Sequence, residues 1–250
     1  MSLGGLSKTR GFEKTTGKVI MQGLFEESAD AKHNVGTRIQ LADGRVFFYA
    51  KAGAGALGVG KNTQVAAVVA NHQDMAMSDA SVGDKTFSAT DGGTAVTANY
   101  YANGFLYINS GGGLGQMLKV KSNGASAGSA AFDITTFDPI RTALASTPTG
   151  GLVANPWMAV VQGTDEEIPS CGVPLIGVTA AYYFWCQTWG LANVLRGDTA
   201  AAGARLVAGA TAGELDADNA TYNPLFPLVG ISYVTGVAAD YQPVFLTVHP

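Results

Sequence analysis

Charged side chains are scarce in this sequence. Asp, Glu, Lys and Arg make up 14% of its 250 residues, against about a quarter in typical soluble domains. Small polar and apolar residues must therefore cover much of the surface, which is poorly suited to a free, concentrated monomer. Composition leaves two interpretations open: a protein whose surface is partly covered by neighbouring subunits, or a secreted or low-charge globular protein.

Basic residues are few and scattered. The chain has 15 Lys and Arg with no run of them, and its formal net charge is −4. Nucleic-acid binding depends on a basic patch that recruits phosphates. The sequence therefore predicts no nucleic-acid partner, unless the fold itself assembles such a patch.

Cysteine is limited to Cys171 and Cys186. Two cysteines in a chain of this length do not make a disulfide framework, and the sequence does not show whether they pair. We interpret them as two small buried hydrophobic side chains.

Long apolar runs are missing as well. Residues 1–10 have no apolar core, so we expect no signal peptide. The longest apolar stretch, residues 173–189, contains Pro, Gly, Thr and Gln, so we expect no membrane span. We therefore expect a protein that is made in a cytoplasm and is not exported by a classical signal.

Helical periodicity is hard to find, whereas short β-type runs separated by Gly, Asn-Gly, Asp-Gly and Pro are frequent. This pattern predicts a mainly β protein, with antiparallel sandwich or small-barrel modules, many Gly-rich turns and little helix. Residues 141–145 are the one candidate for a helical turn. The predicted strands cover residues 45–51, 64–70, 86–90, 100–109, 117–121, 131–137, 157–161, 175–189, 192–195, 205–208, 228–234 and 244–248.

Turn-forming residues suggest a division into parts. Residues 1–17 lack periodicity, and we interpret them as an N-terminal arm that orders on a partner. Residues 141–156 are rich in Pro, Gly, Ser and Thr, which is typical of a linker. They would separate one β-rich module at 18–140 from another at 157–250, and the two modules are free to pack as one unit.

Two glycine-rich segments resemble nucleotide-binding loops. Residues 55–61 fit the GxxxxGK part of a phosphate-binding loop, but the next residue is Asn62 and a strand is predicted where a helix should begin. Residues 111–115 lack the third glycine of a dinucleotide loop, since that position is Gln116. We interpret both as strand connections and predict no cofactor.

Other catalytic and metal-binding patterns are missing. His33, His72 and His249 lack the spacing of paired metal ligands, and there is no GxSxG motif. We expect His72 to lie in a solvated loop, and the acidic cluster at residues 165–167 to be an exposed loop. The sequence therefore predicts no metal, no catalytic residue and no enzymatic activity, although it does not exclude a site assembled from distant residues.

The most unusual segment is the aromatic run at residues 182–190. On a strand, Tyr183, Trp185 and Trp189 share one face, and the opposite face is also aromatic. Such a strand is either buried between two layers or covered by a partner subunit. Burial in the core is the commoner outcome, but Trp and Tyr are enriched at interfaces. Tyr183, Trp185 and Trp189 are therefore the candidate interface residues.

Several segments together resemble a pattern in the virion structural proteins of tailed phages. Among these, the chain resembles a capsid decoration (auxiliary head or cement) protein. The resemblance spans most of the chain from about residue 36 to residue 248. The segments that carry it are residues 43–53, 97–109, 113–122, 173–185, 187–190 and 227–230.

This resemblance implies a non-enzymatic, β-rich auxiliary protein that stabilises an assembled capsid shell. The implied partners are the major capsid protein and two further copies in a homotrimer, in a virion assembled in the host cytoplasm. No catalytic residue carries over from the resemblance. The alternative is a tail or fibre β module that binds a receptor or glycan, which exposed aromatics such as Trp185 and Trp189 lining a shallow groove would favour.

Overall fold

The computed structural model describes residues 22–164, 167–218 and 226–250. These residues form antiparallel sheets, which confirms the predicted mainly β class, and their only helical element is a single 3-10 turn at Ala70–His72. No helix in this part of the chain is both long and apolar enough to cross a membrane. The proposed arm at residues 1–17, like Asp165 and Glu166, lies outside the described residues.

Sixteen strands are found in the described ranges. They are β1 Arg38–Gln40, β2 Val46–Lys51, β3 Thr63–Gln64, β4 Met75–Met77, β5 Thr86–Thr90, β6 Phe105–Ser110, β7 Met117–Asn123, β8 Ala131–Thr136, β9 Thr149–Val153, β10 Val161–Gln162, β11 Ser170–Pro174, β12 Tyr183–Leu195, β13 Arg205–Ala208, β14 Leu215–Ala217, β15 Gly230–Ser232 and β16 Tyr241–Thr247.

The chain forms two compact units, one of which is inserted into the other. Unit 2 comprises residues 66–158, and unit 1 comprises the residues before and after it. The insertion leaves unit 1 after β3 and returns just before β10, and these two strands pair, with Val161 opposite Gln64. The two ends of the interruption are therefore adjacent, which is the condition for inserting one domain into another.

This division differs from the predicted modules at 18–140 and 157–250. The segment predicted as a linker, residues 141–156, contains strand β9, which pairs with both β4 and β6. Gly150 and Gly151 lie inside that strand rather than in a turn. Glycine in a strand marks a place where other atoms approach the backbone closely. Here the approaching atoms belong to Tyr107 on the neighbouring strand.

Unit 2 is a closed barrel of six strands in the order β4-β5-β8-β7-β6-β9. Its strands alternate buried and exposed residues, as β7 and β8 show clearly, so every second side chain fills the interior. These interior residues include Phe87, Leu106, Ile108, Leu118, Phe132, Ile134 and Leu152.

Unit 1 is built on a ten-stranded sheet in the order β10-β3-β11-β12-β16-β15-β13-β14, with β2 also paired to β12 and β1 paired to β2. The 13-residue strand β12 is its spine, since it pairs with β2, β11 and β16. One core cluster includes Val194, Leu206 and Leu246. A second cluster includes Phe47 and Trp185.

Several predicted elements have different bounds in the structure. The strands predicted at 175–189 and 192–195 are replaced by the single strand β12, and the strand predicted at 64–70 shortens to β3. Residues 141–145 form no helical turn; instead Leu144 makes an isolated bridge with Ala80. Residues 100–104 form a turn because Asn99 and Asn103 adopt left-handed backbone angles, which Asn tolerates better than most residues.

Candidate interaction surface

Trp185 is a core residue. Its side chain is 1% exposed and packs with Leu24, Phe47 and Tyr49. The indole N–H donates a hydrogen bond to the Gln22 carbonyl at 2.9 Å. The interface hypothesis is therefore wrong for Trp185, because this chain already covers its surface.

Tyr183 is half-buried and is largely engaged within unit 1. Its ring stacks on Tyr49 with centroids 5.9 Å apart, and the Lys51 ammonium lies 5.2 Å from the centre of the same ring. Its backbone N–H donates to the Ser28 carbonyl. Tyr183 therefore offers little free surface to a partner.

Trp189 lies just beyond an irregularity in β12. The register against β2 shifts between Gln187 and Trp189, and such bulges redirect the side chains that follow. The buried Gln187 amide supports this bend, since its Nε2 donates to the carbonyls of Trp189 at 3.1 Å and Leu191 at 3.0 Å. Trp189 itself is half-buried and makes an edge contact with Phe245, with ring centroids 5.7 Å apart.

Beyond this bend, the outward side of the sheet is apolar. Leu191 pairs with Phe245, and Phe245 pairs with Ile231 on the next strand. Residues that pair directly across neighbouring strands project from the same side of a sheet. Leu191 is 47% exposed and Ile231 is 39% exposed, so these three side chains form a solvent-facing apolar row across three strands.

A second row continues this surface. The N–H of Tyr233 donates to the Pro243 carbonyl, and Tyr233 is 64% exposed. Tyr241, two residues before Pro243 on β16, is 42% exposed. We call this surface the apolar sheet face; it consists of Leu191, Ile231, Tyr233, Tyr241, Pro243 and Phe245.

The opposite side of the same strands packs on the core through Ala192, Val194, Val244 and Leu246. An antiparallel sheet with one buried side normally presents polar residues on the other side. Here both sides are largely apolar, with the exposed Asn193 opposite Pro243 as a polar member of the outward side, and contiguous exposed apolar surface is typical of interaction sites. The first row ends at a charged residue, Arg205, which is the cross-strand partner of Ile231. Arg205 forms an ion pair with Asp218, with Nε and Oδ2 3.4 Å apart.

Sequence reasoning missed this surface, although β16 carries a signal for it. Tyr241, Pro243 and Phe245 alternate with the buried residues Val244 and Leu246. A strand that is apolar on both sides is normally covered by a protein layer on each side, as the aromatic run at 182–190 also suggested. The pattern does not reveal which side the rest of the chain leaves uncovered.

A cleft of about 510 Å³ lies at the edge of the apolar sheet face. On one side Asp43 and Arg45 form an ion pair, with Oδ2 and Nε 2.7 Å apart. Burial alone would raise the pKa of Asp43, but the hydrogen bonds from the Arg45 backbone and side chain outweigh it and hold that pKa below its ordinary value. The cleft is lined by Asp43, Gly44, Arg45, Trp189, Gly190, Leu191 and Phe245.

The GxxxxGK segment at residues 55–61 is a strand connection, as predicted. It leads into β3 and not into a helix. The backbone N–H groups of Gly58, Gly60 and Asn62 donate to the Gln162 side chain, the Pro174 carbonyl and the Gly213 carbonyl. A phosphate-binding loop directs these N–H groups at its ligand, so this geometry does not form a phosphate cradle.

The prediction that His72 lies in a solvated loop is wrong. Its side chain is 3% exposed in unit 2, with Nδ1 2.5 Å from the Tyr101 hydroxyl and Nε2 3.0 Å from the Thr94 carbonyl. Since a carbonyl only accepts, Nε2–H donates to the Thr94 carbonyl, and in a neutral imidazole Nδ1 then accepts from the Tyr101 hydroxyl. Burial raises the pKa of Tyr101, which keeps this hydroxyl protonated.

Cys171 and Cys186 are buried thiols and are not joined by a disulfide. Burial raises the pKa of Cys186 to about 12, despite the opposing hydrogen bond from Thr63. It raises the pKa of Cys171 well above its usual value, and the neighbouring Cys186 adds to that shift. Because the thiolate is the reactive form, neither residue is a nucleophile near neutral pH, and both are small buried side chains as interpreted.

No cluster of three or more His, Cys, Asp or Glu side chains that could hold a metal ion occurs within the described ranges. Comparisons of the chain with protein-family models, with curated proteins and with solved structures found no match.

Proposed function

We propose that the protein is a non-enzymatic structural subunit that binds other protein subunits through the apolar sheet face. The observation that supports this proposal is the solvent-facing row of Leu191, Phe245 and Ile231 on a sheet whose other side is a packed core. Following the sequence resemblance, we propose a virion as its setting and the major capsid protein of a shell as its partner.

The energetics suit repeated, individually weak contacts. Fully burying one large apolar side chain is worth about 1.5–3 kcal/mol, so half-exposed residues such as Leu191 and Ile231 would each contribute about 1 kcal/mol. Many copies on one particle multiply such a modest gain, because each bound copy restrains the subunits beneath it.

The rigidity of the face also favours assembly. Val244 and Leu246 anchor β16 in the core behind Phe245, and continuous pairing of β12, β16 and β15 fixes the spacing of the row. A surface that is already ordered loses little conformational entropy on binding. The scarcity of charge along the row further limits repulsion between crowded copies.

The proposal is tested by sedimenting the purified chain with particles assembled by the phage that encodes it, after the native copies have been stripped. We expect the wild-type chain to sediment with the shells and the Leu191→Glu/Ile231→Glu variant to stay in solution. Phe25→Glu is the matched control, because Phe25 is 61% exposed in the same unit but lies outside the face. A wild-type chain that binds no part of the particle would contradict the proposal.

A tail or fibre module that binds a receptor or glycan is the second candidate. The observation that favours it is the position of Trp189 in the cleft beside Asp43 and Arg45. Trp185, the other aromatic expected in such a groove, is buried. In the sedimentation experiment, this candidate predicts attachment to tails and not to emptied heads.

A further inference from the structure

We propose that the cleft formed by Trp189 and the Asp43–Arg45 pair binds a neutral pyranose ring. This inference rests on the glycan-binding candidate of the proposed function, for which it names the site and the ligand class, and it does not depend on subunit assembly through the apolar sheet face. Only Leu191 and Phe245 belong to both the cleft and the apolar sheet face.

One wall of the cleft is apolar. Trp189 is half-buried, and its contact with Phe245, at 5.7 Å and an interplanar angle of 79°, fixes the orientation of the indole. Leu191 continues the same wall. An indole is a broad, rigid apolar surface with a low entropic cost of ordering, and it suits the flat C–H face of a sugar ring.

A second part of the lining, the polar wall, carries no net charge. Asp43 offers carboxylate oxygens with its side chain 51% exposed, and Arg45 offers guanidinium N–H groups with its side chain 31% exposed. A hydroxyl group both donates and accepts hydrogen bonds. Two neighbouring hydroxyls on a ring can therefore donate to Asp43 and accept from Arg45 at the same time.

This pairing also selects against charged ligands. An anion that approached Arg45 would meet the Asp43 carboxylate 2.7 Å from its Nε, and a cation that approached Asp43 would meet the guanidinium. A neutral polyhydroxylated ring satisfies both groups without separating them. Such a ring also fits the cleft volume of about 510 Å³, which lies within the range of small-molecule sites.

The polar wall is ordered before any ligand arrives. The Arg45 N–H donates to Asp43 Oδ1 at 3.0 Å, and the turn is closed by hydrogen bonds from Gly44 to Leu41 and from Leu41 to Arg45. The Arg45 guanidinium also lies over the ring of Phe47 at 5.7 Å. Ordering of this kind reduces the entropy lost on binding.

Gly190 allows the Arg45 turn to approach β12 closely. It adopts a backbone φ of +88°, and a Cβ at this position would come within 3.0 Å of Arg45 Cγ and 3.2 Å of its Cα. Glycine at this point therefore lets the Arg45 turn lie directly against β12. A cleft this shallow predicts weak binding at a single site, which many copies on one particle would strengthen by multivalency.

The test is saturation-transfer NMR and calorimetry on the full chain with the methyl glycosides of glucose, galactose, mannose and N-acetylglucosamine. The acyclic polyol sorbitol serves as a probe with hydroxyls but no ring face. We expect at least one glycoside to bind and sorbitol not to bind. We also expect Trp189→Ala to weaken glycoside binding about 10-fold, which corresponds to about 1.4 kcal/mol, and Trp189→Phe to restore part of it.

Further variants separate this inference from the proposed assembly. Asp43→Asn should weaken glycoside binding and leave subunit association unchanged. Tyr233→Ala removes an exposed aromatic of the apolar sheet face outside the cleft, so it should weaken association and leave glycoside binding unchanged. Failure of all four glycosides to bind, or equal binding by wild type and a folded Trp189→Ala variant, would overturn the inference.

Discussion

Tyr107 lies over Gly151 on the neighbouring strand of the barrel. The two residues are cross-strand partners in β6 and β9, and a methyl group on Gly151 would overlap the tyrosine hydroxyl. That hydroxyl donates to Gln73 Oε1, and Gln73 Nε2 in turn donates to the Leu152 carbonyl at 2.8 Å. The tyrosine ring thus occupies the space that a side chain at position 151 would fill, and it secures the strand that closes the barrel.

The adjacent glycine is less tolerant of substitution. A methyl group on Gly150 would overlap the backbone carbonyl of Tyr107 and lie 3.0 Å from Met77 Cε. Because a backbone atom cannot move aside alone, we expect Gly150→Ala to lower the free energy of unfolding of the barrel by about 2 kcal/mol. Gly151→Ala should cost less, since the end of the Tyr107 side chain can shift. Urea unfolding followed by circular dichroism measures both.

Gly55→Ala is the control for these substitutions. Nothing lies within 4 Å of a Cβ at that position, so its effect on urea unfolding should be small. A Gly150→Ala protein as stable as Gly55→Ala would show that β9 does not pack as described.

The inserted barrel leads to a second prediction. Replacing residues 66–158 by a short Gly-Ser connection should leave unit 1 folded, because β3 and β10 already hold the two ends together. The shortened chain should keep a β-type far-ultraviolet spectrum and a cooperative thermal transition. A chain without a cooperative transition would show that unit 1 requires the barrel in order to fold.

Because Cys171 and Cys186 are buried, we expect their thiols to react slowly and the free energy of unfolding to fall at alkaline pH. The pKa of Cys186 rises from its ordinary value of 9.0 to about 12, so folding favours the neutral thiol. This contribution is fully present below about pH 9 and is lost as the pH rises towards 12. Cys186→Ala should therefore show a shallower decline in unfolding free energy over that interval than wild type.

Reaction with a disulfide reagent at pH 8 tests the same burial directly. Native protein should react slowly at both thiols, and protein unfolded in urea should react at once. Rapid reaction of the native protein would contradict the burial of Cys171 and Cys186.

The ion pair between the buried Arg196 and the partly exposed Asp198 gives a fourth prediction. Arg196 is fully buried, with Nη2 2.5 Å from Asp198 Oδ1 and Nη1 2.5 Å from Ser232 Oγ. Removing the carboxylate in Asp198→Ala leaves a buried guanidinium without its counter-ion and should cost about 3 kcal/mol. Arg196→Met removes the buried charge and should cost less. Equal losses in urea unfolding of the two variants would contradict this view of the pair.

Much of the fold was predictable because its strands follow local rules. Residues 86–90 and 205–208 form strands with the predicted bounds, and the β7 prediction at 117–121 falls within the observed strand. β9 was missed because Pro148, Gly150 and Gly151 are typical of turns, and only the position of Tyr107 across the barrel explains glycine inside a strand.

The candidate surface was less predictable, for a related reason. Trp185 and Trp189 belong to one strand and one aromatic run, yet Trp185 is covered by Leu24 and Tyr49 whereas Trp189 lines a cleft. Which part of a two-sided apolar strand is covered depends on segments distant in sequence. For the same reason the exposed positions of Ile231 and Tyr233, so close to the core residue Val229, could not be read from their local pattern.

We propose that the apolar sheet face mediates contacts between subunits, and the resemblance implies a homotrimer. Sedimentation velocity of the purified full chain over a concentration series tests this most directly, with Leu191→Glu/Ile231→Glu beside the Phe25→Glu control. We expect wild type and the control to self-associate and the double variant to sediment as a monomer. A double variant that associates as wild type does would contradict the role of this face in self-association, and a wild-type chain that remains monomeric throughout would contradict the homotrimer.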